Sequence, residues 1–162
     1  MMQLHMVAMI AGLCVLDQAV KFWARTVLQP VGRMELIPRI ISLSYEQNSG
    51  AFFSILEGKQ LILISVTIVA VTLIITMLTH PKYRFRGIAH WALMLILTGA
   101  LGNFTDRLCH GYVIDMFKFE FMTFAIFNVA DICITIGGIV FVAALTFGKT
   151  NRGMFEKKNA AA

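Results

Sequence analysis

Charge is scarce in this chain. Asp, Glu, Lys and Arg make up 14% of its 162 residues, with only 9 acids among them. A soluble domain carries about a quarter, so an ordinary water-soluble fold is excluded. Cysteine is scarce too. The three thiols, Cys14, Cys109 and Cys133, are odd in number and scattered, which excludes a disulfide framework. They read as packing residues. No CxxC, HExxH or GxSxG occurs, so zinc-protease and serine-hydrolase layouts have no support. His5, His80, His90 and His110 are dispersed and read as loop or interfacial residues. Cys109 and His110 are adjacent, a poor spacing for a nucleophile and its base. No metal and no cofactor are expected.

What is abundant is apolar surface: 58% of residues are hydrophobic, and mean hydropathy is +0.76. That composition is an integral membrane protein of one domain. A helix needs about 20 apolar residues to cross the hydrocarbon core. Four stretches qualify, about 4–24, 60–79, 88–108 and 127–147. The second is uncharged and rich in Val, Ile and Thr. In water that composition would also suit a strand. In lipid an open sheet leaves backbone groups unpaired, so helix is predicted. No Lys or Arg precedes the first apolar run, and the run contains Asp17 and Lys21. It reads as a retained span and not a cleaved leader.

Connector charge gives a direction. Lys82, Arg84 and Arg86 crowd one short loop, and the tail holds Lys149, Arg152, Lys157 and Lys158. Both segments, and both termini with them, are placed in the cytoplasm. The net charge of +5 sits in such connectors, so nucleic acid is not an expected partner. At about 1.5 Å per residue, Asp17 and Lys21 lie roughly 20 and 26 Å along the first span, near its outer end. Asn103, Asp106 and Arg107 close the third span at the same side, and Asn128 and Asp131 open the fourth. The intramembrane polar residues thus share one layer close to the outer surface.

The outer connectors alternate in strand fashion. Ile41, Leu43 and Tyr45 point one way, with Ser42 and Ser44 the other; in VIDMFKFEF the residues Val113, Asp115, Phe117, Phe119 and Phe121 share a face. A small extracytoplasmic sheet is predicted, built mainly from about 25–52. FFSILEGK suits a short interfacial helix, with Phe52, Phe53, Ile55 and Leu56 in lipid. Residues of about 150–162 read as a flexible solvated tail.

Two acids stand out. Asp115 sits among Ile, Met and Phe, and Asp131 among Val, Ala and Ile, with no basic residue at pairing distance in sequence. A carboxylate within a span costs roughly 3 kcal/mol on insertion scales. If the fold joins them, they can share one proton, the ionised member activating water while the protonated member polarises a carbonyl. Asp17 and Lys21, four apart and acid first, read as a structural ion pair. Asp106 reads as holding a helix end or a neighbouring cation. Asn103 and Arg107 share a helix face, as do Asn128 and Asp131.

Five blocks in order, DQAVK from Asp17, NSGAFF from Asn48, GNFTDR from Gly102, VIDMF around Asp115 and FNVAD ending at Asp131, make the chain resemble bacterial signal peptidase II, the lipoprotein signal peptidases. The resemblance spans nearly the whole chain. It implies a membrane protein of four transmembrane helices with a β-cradle and an interfacial helix on the periplasmic side of the inner membrane. It implies an aspartic endopeptidase that cuts a prolipoprotein before a diacylglyceryl-modified cysteine. Asp115 and Asp131 match the family's catalytic acids. Asn48, Asn103, Arg107 and Asn128 match residues that line the site, and Asp17 and Lys21 match a block of structural support. The expected partners are that lipidated precursor and membrane lipid, with the protein a monomer. The reading kept beside it is a small proton- or cation-coupled transporter, which would put acids near midplane and show internal repeats.

Overall fold

Backbone groups in lipid must find partners within their own segment, and the apolar runs meet that demand as helices. The computed structural model describes residues 2–50, 56–80, 85 and 87–147. Four helices in it are long and apolar enough to cross a membrane. They are α1 (Met2–Trp23), α3 (Gln60–Thr79), α4 (Ile88–His110) and α5 (Val129–Phe147). In α3 the hydroxyls of Ser65, Thr67, Thr72, Thr76 and Thr79 each donate 2.8 Å bonds to the carbonyl four residues back. The helix thereby absorbs its own polar side chains.

The first helix overruns its expected end. It continues through a π-helical turn, Ala24–Leu28, and a short helix α2, Gln29–Val31, before Gly32 breaks it at φ 85°. Residues 24–31 therefore belong to a helix and not to the sheet. The sheet is β1 (Arg33–Ile37), β2 (Ile41–Asn48) and β3 (Val113–Phe119), antiparallel in the order β1-β2-β3. Its third strand comes from the connector between α4 and α5, outside the expected range of 25–52. The expected alternation of β2 also breaks. Ser42 is fully buried and donates to Glu120 Oε1, while β2 carries an irregularity between Leu43 and Glu46. Leu43 pairs with Phe117 and Asn48 with Val113. The extra residue between them shifts parity, as a bulge does, and sets Asn48 on the face of β3 that carries Asp115.

Two apolar clusters hold the frame. One joins Ile74 and Leu78 of α3 to Leu93, Met94 and Leu97 of α4 and Ala144 of α5. The other seats the sheet on the end of α1, packing Leu43, Ile114 and Met116 against Ala24 and Leu28. Helix α4 is central and presses on α5 through glycine. A Cβ on Gly99 would overlap the Ala130 carbonyl, and one on Gly102 would lie 2.6 Å from Asp17 Oδ2. Small residues give close backbone approach where lipid offers no hydrophobic drive.

Of the expected interfacial helix at 52–59, residues 52–55 lie outside the described set, as does the tail at 150–162; the described half, 56–59, is a turn and not a helix, with Leu56 at φ 60° and Gly58 at φ 73°. Cys14 and Cys133 are at least partly buried, as packing residues should be, whereas Cys109 is exposed. His90, in the first turn of α4, is buried beside Met6 Sδ at 3.2 Å and is therefore not a loop residue.

Candidate active site

Asp115 and Asp131 come together from different elements. Gly111, at φ 77°, ends α4 in the left-handed conformation glycine favours, with its N–H bonded to the Arg107 carbonyl at 3.1 Å. The chain then doubles back as β3. The Ile114 N–H donates to Asp106 Oδ2 at 3.1 Å and pins the strand to the helix it has just left. Asp115 is thus suspended over the end of the bundle, 1% exposed.

Asp131 lies in the first turn of α5. Asn128 accepts a bond from the Asp131 N–H at 2.9 Å, and Asp131 Oδ2 accepts one from the Asn128 N–H at 3.1 Å. This reciprocal exchange across three residues is a capping box, with Asn for Ser/Thr and Asp for Glu/Gln. The spacing of Asn128 and Asp131 thus comes from the helix cap, and Asn128 lies just outside the span and not on its face. The sequence signal was available, since N-x-x-D stands immediately before an apolar run.

The same Asn128 serves the other acid. Its Nδ2 donates to Asp115 Oδ1 at 2.6 Å and to Asn103 Oδ1 at 3.1 Å. Asn48 Nδ2 donates to Asp115 Oδ2 at 2.9 Å, and Asn103 Nδ2 to Asp131 Oδ1 at 2.8 Å. Each carboxyl therefore receives an N–H at both oxygens. Burial, and next the nearby Asp131 charge, push the Asp115 carboxyl up to about 7; its amide donors and Lys21 pull the other way. A buried acid that titrates near neutrality is suited to carry a proton at working pH.

Behind the acids is a second polar layer. Lys21 Nζ is 3.0 Å from Asp17 Oδ2, Asp106 Oδ2 and Asn103 Oδ1. The expected Asp17–Lys21 pair is thus half of a buried network, and the cation held by Asp106 is Lys21. Asp17 Oδ1 also accepts the Ala130 N–H at 2.9 Å, tying α1 to the first turn of α5. Gln18, which sequence reasoning passed over, donates to Asp106 Oδ1 at 3.0 Å and to the Gly102 carbonyl at 3.3 Å. Nothing local marks it for this role, because these two partners lie 84 and 88 residues away.

Arg107 faces away from Asp106. Its Nη2 donates to the Gly50 carbonyl at 2.9 Å, and its Nε has no hydrogen-bond partner among the described residues. Gly50 belongs to an Asx turn, its N–H bonded to Asn48 Oδ1 at 3.0 Å. The N-S-G sequence is a recognisable turn signal for that geometry.

The acids close one end of a cleft of about 640 Å³. Asn48, Asn103 and Arg107 share that polar end. The remaining walls are apolar apart from Thr67 and Thr135: Leu63, Val66, Ala70 and Ile74 on α3, with Ile132 and Ile136 on α5. From Leu63 to Ile74 the wall runs roughly 16 Å, about three helical turns. The segment Phe124–Phe127 borders the cleft beside the acids. Among the described residues no three of His, Cys, Asp and Glu gather as a metal-binding group.

A helical bundle with paired acids at the polar end of an apolar cleft defines a membrane-embedded enzyme. Two solved structures described as bacterial membrane enzymes share this fold. One superposes with a TM-score of 0.82 at 29% identity, covering 91% of this chain and 90% of that one. The second gives 0.78 at 28% identity, covering 90% and 94%. The chain belongs to the signal peptidase II family: the family described as Signal peptidase (SPase) II matches residues 9–147. It is 44% identical over 137 residues to the lipoprotein signal peptidase of Streptococcus pyogenes serotype M2 (strain MGAS10270), a match covering 82% of this chain and 87% of that one. The serotype M6 (strain ATCC BAA-946 / MGAS10394) relative is 43% identical over the same length. The protein is a multi-pass membrane peptidase with a signal peptidase II function.

Proposed function

We propose that Asp115 and Asp131 are the catalytic pair of an aspartic endopeptidase that removes the signal peptide from a diacylglyceryl-modified prolipoprotein, cutting before the lipidated cysteine. The observation that carries the reading is their joint tethering by Asn128 at the polar end of the cleft. One acid takes a proton from water as that water attacks the scissile carbonyl. The other gives its proton to the carbonyl oxygen, forming a tetrahedral diol. Collapse returns a proton to the leaving amine and restores the pair. No covalent enzyme intermediate is required.

The cleft suits this substrate. Its apolar walls accept a signal-peptide helix and acyl chains from lipid, and its polar end meets the extended bond to be cut. Asn48, Asn103, Arg107 and Asn128 orient the acids or the substrate backbone; the free Nε of Arg107 is a donor for a peptide carbonyl. Asp17, Lys21 and Asp106 brace the site. The whole chain acts as one peptidase domain and as a monomer, since one chain supplies every group named. Its place is the inner (cytoplasmic) membrane of a bacterium, with both termini inside and the acids toward the outer face. The basic loop with Lys82, Arg84 and Arg86 supports that direction.

The test is a gel-shift assay with diacylated precursor, comparing the purified wild type with Asp115→Asn and Asp131→Asn. Each variant should remain folded and lose at least about a thousandfold in rate. Near-normal processing by folded Asp131→Asn would falsify the mechanism. Loss of folding in both variants would instead make the polar layer helix-packing glue.

A further inference from the structure

Lys21 is buried, 1% exposed, and reaches both its carboxylate partners and the side-chain oxygen Oδ1 of Asn103. An ammonium has three donors and no acceptor. Its three hydrogens are therefore matched by three oxygens, each at 3.0 Å. The consequence for Asn103 is orientational. With Oδ1 held by Lys21 and by Asn128 Nδ2, the Asn103 NH2 has to point at Asp131 Oδ1, which it meets at 2.8 Å. A flipped Asn103 would set an NH2 against the ammonium and an oxygen against the Asp131 carboxyl.

The other oxygen of Asp131 accepts the Asn128 N–H in the first turn of α5, where the helix dipole favours negative charge. Asp115 has no such terminus behind it. Among the described residues it receives the side-chain amides of Asn48 and Asn128. The pair is electrostatically unequal, and the inequality leads back to α1.

We propose that Lys21 is a positioning residue which, through the locked amide of Asn103, holds Asp131 as the ionised member of the pair and leaves the proton on Asp115. The assignment rests on the reaction proposed above and divides its labour: Asp131 takes the proton from water, and Asp115 gives one to the carbonyl oxygen. The charged groups around Asp131 are Lys21 and Asp17 from α1, Arg107 and Asp106 from α4, and Asp115 from β3. Of the two cations, Lys21 is the one joined to Asp131 through a single intervening side chain.

The experiment is the pH dependence of kcat/KM on diacylated precursor for wild type, Lys21→Met and Asp106→Asn. The acid limb reports protonation of the base. Lys21→Met removes support for the Asp131 anion, so the limb should move to higher pH, by about one unit, with kcat lowered and KM little changed. Asp106→Asn removes a rival for the same ammonium and should move the limb to lower pH. A merely structural network would lower activity in both variants without displacing the limb. An unmoved limb in either folded variant overturns the assignment. If Lys21→Met fails to fold, Asp106→Asn decides the question by the same criterion. Wild type that leaves the diacylated precursor uncut would strike the peptidase reading itself, a distinct failure.

Discussion

The side-chain amide of Asn128 lies 2.6 Å from Oδ1 of Asp115. The Asn128 side-chain Oδ1 meanwhile accepts the Asp131 N–H, and the Asn128 main-chain N–H donates to Asp131 Oδ2, capping α5. One residue thus sets the start of a membrane-spanning helix and joins the two acids. The N-cap acceptor is its side-chain oxygen Oδ1. The bridging role needs its NH2.

Those two roles separate by substitution. Asn128→Asp retains an N-cap oxygen but replaces the donor to Asp115 with a third carboxyl. Asn128 is 0% exposed, so the third buried carboxyl should lower stability, increasingly as pH rises, and cleavage of lipidated precursor should fall by about a hundredfold or more. Asn128→Ala loses both roles and should also be less stable, by about 1 kcal/mol. Near-normal cleavage by folded Asn128→Asp would place the residue's importance in the cap alone.

Stability should depend on pH through Asp115. Its folded value of about 7 lies above the unfolded 3.8. Between those values the native state binds more protons than the unfolded state, so stability falls as pH rises. Below 3.8 both states are protonated and the dependence from this group ends; above about 7 the penalty is complete. The slope is at most about 1.4 kcal/mol per pH unit. Thermal scans from pH 4.5 to 8 should show wild type losing stability on alkalinisation. Asp115→Asn should flatten that trend, and a slope unchanged in the variant would refute the attribution.

Filling the cleft should block the substrate and spare the fold. Ala70 on α3 lines its apolar wall, away from the acids. Ala70→Trp should raise KM for the diacylated precursor about tenfold or more while leaving the thermal midpoint nearly unchanged. Kinetics identical to wild type would show that the precursor does not enter between α3 and α5.

The sequence by itself determined the class and the spans. Apolar runs of sufficient length in lipid must be helices, because each backbone group then bonds within its own segment. The starts of α3 and α4 coincide with the predicted 60 and 88 for that reason. It also exposed Asp115 and Asp131 as acids without a basic residue nearby in sequence, which are expensive wherever they sit in a membrane. Tertiary structure alone decided what surrounds them. Strand β3 joins β2 across some 70 residues of chain, and no periodicity within 25–52 announces its missing neighbour. The third partner of Lys21 and the place of Gln18 follow from how closely glycine lets α4 approach its neighbours. Helical and strand periods are local properties of a chain. Hydrogen bonds between residues 82 or 113 apart exist only after packing has brought the helices together.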